Sequence, residues 1–123
     1  MALESYRDLE VWKEGIALAE ACYRLTQGFP REEIFELTAQ IRRAASSVPA
    51  NVAEGYGRES TRDWIRFLRI AQGSLKELET HLILGRNLEF GPKPEMEALL
   101  ARSDRLGRML RGLIRSLQKK PAE

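Results

Sequence analysis

Apolar side chains recur along this chain at alternating spacings of three and four, the period of helices packing lengthwise on one another. Four such runs are separated by short stretches rich in glycine and proline, and no stretch alternates apolar and polar residues as a strand would. In the first run Leu9, Trp12, Ile16, Ala19 and Tyr23 form a heptad seam, with Val11, Leu18, Cys22 and Leu25 in a second stripe about 120° round the helix. An apolar arc near half the circumference is wider than one neighbour requires, so this helix is expected to pack on two sides. Gly15 falls on the second stripe, where a cost of roughly 1 kcal/mol in helix propensity asks for a compensation such as a close backbone approach. The predicted bounds are 8–27, with the Asp8 carboxylate capping the start and Gly28 beyond the end.

The second run is predicted to be helical over 31–56. Pro30 suits the first helical position, and Glu32 and Glu33 favour the positive end of the helix dipole. Ile34, Leu37, Ile41, Ala44, Val48 and Val52 form its seam. Pro49 interrupts it: a proline inside a helix removes one hydrogen bond and crowds the carbonyl four residues back, at about 3 kcal/mol. Because the heptad continues through Val48 to Val52, a helix kinked at Pro49 is favoured over two separate helices. The side chains around Pro49 are small (Ala44, Ala45, Ser46, Ser47, Ala50, Ala53), which predicts tight packing within the chain. Gly55-Tyr56-Gly57-Arg58 then reads as a C-terminal cap with glycine in the left-handed region, not as a phosphate loop, since no strand precedes it and no Lys-Ser/Thr pair follows.

Ser60 and Asp63 form a capping-box pattern for the third helix, predicted over 61–89. Its seam is Trp64, Leu68, Ala71, Leu75, Leu78 and Leu82, widened by Phe67 and Ile70. Arg62, Arg66, Arg69 and Lys76 fall within about 80° of one another opposite that seam, with Gly73 as a gap in the row. Gly91-Pro92-Lys93-Pro94 is a rigid turn into a fourth helix over 94–118. There Met96, Leu99, Ser103, Leu106, Leu110, Leu113 and Leu117 make the most regular heptad of the chain, with Leu100, Gly107 and Ile114 beside it. Seams of this period with short connections predict an all-α fold, an antiparallel up-down-up-down four-helix bundle, as one domain over 1–123 whose last few residues fray.

The charge of +2 averages over alternating segments: net −4 for residues 1–39, +4 for 40–76, −3 for 77–100 and +5 for 101–123. The last of these gathers Arg102, Arg105, Arg108, Arg111, Arg115, Lys119 and Lys120. Fifteen of the twenty basic residues are arginine, whose planar fork suits bidentate phosphate contacts. Cys22 is alone, which excludes a disulfide framework or a cysteine metal cluster and suggests a small buried hydrophobe. With no membrane-length apolar run and no signal-peptide core in MALESYRDLE, a cytoplasmic location is expected.

The strings Leu9-Glu10-Val11-Trp12-Lys13, Leu37-Thr38-Ala39-Gln40-Ile41-Arg42-Arg43-Ala44-Ala45, Ser47-Val48-Pro49-Ala50-Asn51-Val52-Ala53-Glu54-Gly55 and Phe67 through Leu78 carry a family resemblance. The chain resembles the small four-helix-bundle proteins encoded in intervening sequences of bacterial 23S rRNA genes (S23-type). The likeness extends through the third helix and fades over the fourth; Gly15 and Gln72 depart from it mildly. The resemblance implies an antiparallel bundle assembled as a homopentamer, and kinship with the RNA-binding accessory proteins of diversity-generating retroelements. No cofactor, metal or small-molecule substrate is implied.

Catalytic chemistry finds no support. His81 is the only histidine and lies on the flank of the third seam, and Glu54, Glu77 and Glu79 are scattered, so the chain is expected not to be an enzyme. Two binding readings are left. Arg42, Arg43, Arg58, Arg62, Arg66, Arg69 and Lys76 form a candidate surface for RNA or DNA, unless they are simply a solvated face with ion pairs along the helices. Alternatively the chain is a structural or protein-interaction module. On that reading Val11, Gly15, Leu18, Cys22, Leu25, Phe67 and Ile70 are candidate oligomer-interface residues, and the acidic segment 1–39 meets the basic segment 40–76 of a neighbouring subunit. Both hold together if an oligomer repeats a basic surface.

Overall fold

In the computed structural model, which describes residues 3–119, four helices run α1 Glu10–Thr26, α2 Leu37–Tyr56, α3 Thr61–Asn87 and α4 Lys93–Gln118. Single 3-10 turns at Tyr6–Asp8 and Arg31–Glu33 precede the first two. No strand occurs among the described residues. The contacts run α1 to α2, α2 to α3, α3 to α4 and α4 back to α1, without diagonal pairs, which is the square of an antiparallel four-helix bundle. Ile41, Val48, Val52, Leu68, Leu75, Leu78, Leu82, Met96, Leu106 and Leu110 fill its axis almost without solvent contact. Each such side chain contributes roughly 1.5–3 kcal/mol by leaving water. The bundle lies within the single domain read over 1–123; the expected fraying of the last residues, and Lys120, fall outside the described residues.

The second stripe of α1 lies deeper than the first, of which only Leu9 and Ala19 are buried. Val11, Gly15, Leu18 and Cys22 face the axis, whereas Trp12 and Ile16 are half-buried and Tyr23 is 44% exposed. Gly15 explains the choice. A Cβ there would stand 3.3 Å from Cβ of Pro49, so the missing side chain lets α1 lie against the proline ring of α2. Helix α2 continues without a break through Pro49; of the small side chains around it Ala44 and Ala45 are packed inside the chain, Ser47 and Ala53 are half-buried, and Ser46 and Ala50 are exposed. Ser46 Oγ donates to the Arg42 and Arg43 carbonyls at 2.9 and 3.3 Å, and Ser47 Oγ shares a 2.8 Å hydrogen bond with Ser74 Oγ of α3.

Several helix ends depart from expectation. Asp8 does not cap α1: its carboxylate accepts from the Glu4 and Ser5 backbone within the preceding 3-10 turn, and α1 starts from Leu9 with no side-chain cap. The stretch 31–36 is a 3-10 turn followed by a hydrogen-bonded turn rather than the first turns of α2, because Glu36 takes a non-helical conformation. Ile34 therefore leaves the α2 seam for solvent. No glycine among the described residues has positive φ; Gly57 ends α2 in right-handed geometry. The left-handed position falls instead to Glu89, φ +60°, after α3. There Phe90 N–H donates to the Gly85 carbonyl and Glu89 N–H to the Arg86 carbonyl, the paired bonds of a Schellman motif. In α4, Ile114 rather than Leu113 reaches the core, as expected when a 3.6-residue helix drifts by about 20° per heptad.

Candidate nucleic-acid interface

The seven cations proposed from sequence separate into two groups. Arg42 is structural. Its Nε–H donates to Thr26 Oγ1 at 2.9 Å, its terminal nitrogen reaches the Tyr23 carbonyl at 3.4 Å, and its guanidinium lies 4.8 Å from the Tyr23 ring centre. It places positive charge on the last turn of α1, where carbonyls point outward and the helix dipole is negative. Arg58 is held by Glu54 at 2.7 Å, and Arg66 by Asp63 at 3.7 Å; both guanidiniums lie over the Phe67 ring, 4.7 and 4.6 Å from its centre. Lys76 sits 3.2 Å from Glu79. Arg43, Arg62 and Arg69 are exposed and have no carboxylate partner among the described residues.

The structure adds cations that the row along α3 does not contain. Helix α4 brings Arg111 and Arg115 across from Arg69, and the three border a hollow of about 190 Å³ with Gln72, Ile114 and Gln118. Gln72 and Arg111 also line an adjoining hollow of about 320 Å³ with Gly73, Lys76, Glu79 and Gly107. Together they form one groove between α3 and α4. Two glycines keep it open: a Cβ at Gly73 would meet nothing within 4 Å, and one at Gly107 only Leu75 Cδ1 at 3.9 Å. Arg111 and Arg115 likewise have no carboxylate within ion-pair distance among the described residues. The sequence shows these residues as part of a basic helix four, but which of them face Arg69 depends on the rotation of α4 against α3. Ser103 fixes that rotation: it is fully buried and donates to Glu79 Oε2 at 2.8 Å.

The proposed interface residues divide similarly. Val11, Gly15, Leu18 and Cys22 are inside the chain's own core, and Phe67 is buried beneath the two arginines. They have no surface to give a second subunit. For these four positions of α1 the apolar arc is filled by neighbours within the bundle. Ile70, 43% exposed, and the partly buried Leu25 remain accessible. Sequence reasoning missed the most exposed apolar residue, Phe35, at 88%; the Glu-rich stretch around it was the available signal. The Cys22 thiol is pushed up to about 12 by burial, against an opposing effect of Arg102, and is inert at neutral pH. His81 is half-buried, and no three His, Cys, Asp or Glu side chains gather as a metal site among the described residues. No described helix is long and apolar enough to cross a membrane.

Comparison with curated proteins finds no match. Among solved structures, one described as a protein of unknown function from the S23 ribosomal protein family of Bacteroides thetaiotaomicron superposes with a TM-score of 0.76. The two share 24% identity, covering 85% of this chain and 97% of that one, a likeness that shows the fold. The family model of the 23S rRNA-intervening sequence protein matches residues 7–112. By that match the chain belongs to the 23S rRNA-intervening sequence protein family.

Proposed function

We propose that the protein is a non-catalytic, homo-oligomeric, cytoplasmic bundle that binds structured RNA or DNA through its α3–α4 groove. One observation carries the reading: Arg69, Arg111 and Arg115 converge on the end of the groove that no carboxylate lines, while Glu79 at the other end is engaged by Lys76 and Ser103. Like charges gathered without counter-charges repel one another, and a polyanion relieves that repulsion while releasing its own counterions. Arg43 and Arg62 are further free cations on the same chain, whereas Arg42, Arg58 and Arg66 are committed to the fold and to Phe67. Contacts of this kind position a phosphate backbone without reading bases, so the preference is for shape rather than sequence.

Assembly into a ring, a pentamer by family resemblance, would repeat the groove and multiply its affinity. Exposed Ile34 and Phe35 support a protein-facing surface apart from the groove. Photo-crosslinking to a structured RNA, followed by peptide mapping, tests the site. Crosslinks are expected in 69–76 and 107–118. Crosslinks confined to other segments, or none at low salt, would overturn the assignment.

A further inference from the structure

The connection between α1 and α2 holds two large apolar side chains out in water. Phe35 is 88% exposed and Ile34 52%, whereas Phe29, a few residues earlier, is buried against Phe90. The exposed pair is presented by ordered backbone. Ile34 N–H donates to the Arg31 carbonyl at 3.1 Å, Glu36 N–H to the Glu33 carbonyl at 3.0 Å, and Leu37 N–H to Glu33 Oε1 at 3.1 Å. Glu32, Glu33 and Glu36 surround it with negative charge. At the same end of the bundle, on the α1–α4 face, lies an open apolar groove of about 510 Å³. Ala21, Leu25, Ala98 and Leu99 line it, with Arg24 and Arg102 beside them.

We propose that Ile34 and Phe35 of one copy dock in the α1–α4 groove of a second copy, with the glutamates of the knob against Arg24 and Arg102. The inference rests on the homo-oligomer reading and names its contact. Shape and charge both argue for a second copy as occupant: an apolar knob ringed by acid meets an apolar groove flanked by arginine. Glu95, the acidic residue of the groove, has its counterpart in Arg31 of the knob segment. Knob and groove are different surfaces of one molecule, so each copy gives one and receives one, and the contact is heterologous. Such a contact closes into a ring where the rotation between copies permits and runs on as a filament where it does not.

The test mixes two variant chains, Phe35→Cys and Ala98→Cys, each altered at an exposed position, refolds them together under reducing conditions and only then applies a mild oxidant. A disulfide-linked heterodimer is expected in the mixture and in neither variant alone, since bridging requires Cβ atoms within about 4.5 Å. Cys22, fully buried with its thiol pushed up to about 12, does not compete. In parallel, light scattering on Phe35→Asp is expected to show the monomer mass with unchanged ellipticity. Wild type that is itself monomeric at micromolar concentration would overturn both this contact and the oligomer reading. An oligomer that keeps its mass in Phe35→Asp and yields no mixed disulfide would overturn the contact alone and leave the groove to another partner.

Discussion

Gly55 offers the sharpest test of how α2 and α3 fit together. A Cβ built there would stand 2.7 Å from Phe67 Cβ, 2.9 Å from Trp64 Cδ1 and 3.2 Å from the Trp64 carbonyl oxygen. Two of these atoms are fixed to the α3 backbone, so rotation of a side chain cannot relieve the clash. Reaching 3.4 Å, the near edge of ordinary contact, requires the helices to part by up to 0.7 Å where both are packed. Overpacking of this kind costs about 1–3 kcal/mol. Alanine recovers at most ~1 kcal/mol of helix propensity, less here because Gly55 lies in the last turn of α2. The net expectation for Gly55→Ala is a loss of about 1–2 kcal/mol. Gly112→Ala supplies the contrast: nothing lies within 4 Å of its Cβ, so propensity alone acts and the variant should gain about 0.5–1 kcal/mol. Urea unfolding followed by circular dichroism, at one protein concentration so that assembly contributes equally, measures both. A Gly55→Ala midpoint equal to or above wild type would refute the packing argument.

Other substitutions probe the remaining parts. Arg42→Ala is expected to cost about 1–2 kcal/mol, through lost hydrogen bonds and charge at the end of α1, while leaving nucleic-acid affinity unchanged; reduced affinity at unchanged stability would return Arg42 to the interface. Glu89→Gly should stabilise by roughly 1 kcal/mol, since glycine adopts the left-handed position without steric cost, and a lower urea midpoint would contradict the cap geometry. Burial raises the Cys22 thiol above its ordinary value of 9.0 to about 12, so the folded state holds this proton where the unfolded chain has lost it. Its contribution is therefore constant below pH 9 and falls as pH rises toward 12, and wild type should lose stability relative to Cys22→Ala over that interval. Parallel pH profiles for the two proteins would show that the thiol is not desolvated.

The bundle was legible in the sequence because a seam repeated at alternating three and four residues dictates helices packed lengthwise. The predicted spans of α3 and α4 fall within a residue or two of the observed helices for the same reason. Orientation was less legible. The two stripes of α1 share one period, and only the close approach of Gly15 to Pro49 decides which faces the axis. Ile34 fits the α2 heptad by spacing, yet the backbone at Glu36 breaks the helix before the seam begins. The arginine row on α3 was visible, but its separation into cations held by Asp63, Glu79 and Phe67 and those left free is a matter of side-chain contact. The groove itself was hidden, because Arg69 and Arg111 meet only through the rotation that Ser103 and Glu79 set between helices.

The claim that this groove binds phosphate backbones is tested most directly by the salt dependence of binding. The logarithm of affinity for a duplex DNA probe would be followed against the logarithm of salt concentration, for wild type and for Arg69→Ala/Arg111→Ala/Arg115→Ala. Three lost phosphate contacts should flatten the slope by about 2.7, at roughly 0.9 per contact, with the fold and the assembled mass unchanged. A slope that is the same in both proteins, or wild type that fails to bind at low salt, would contradict it.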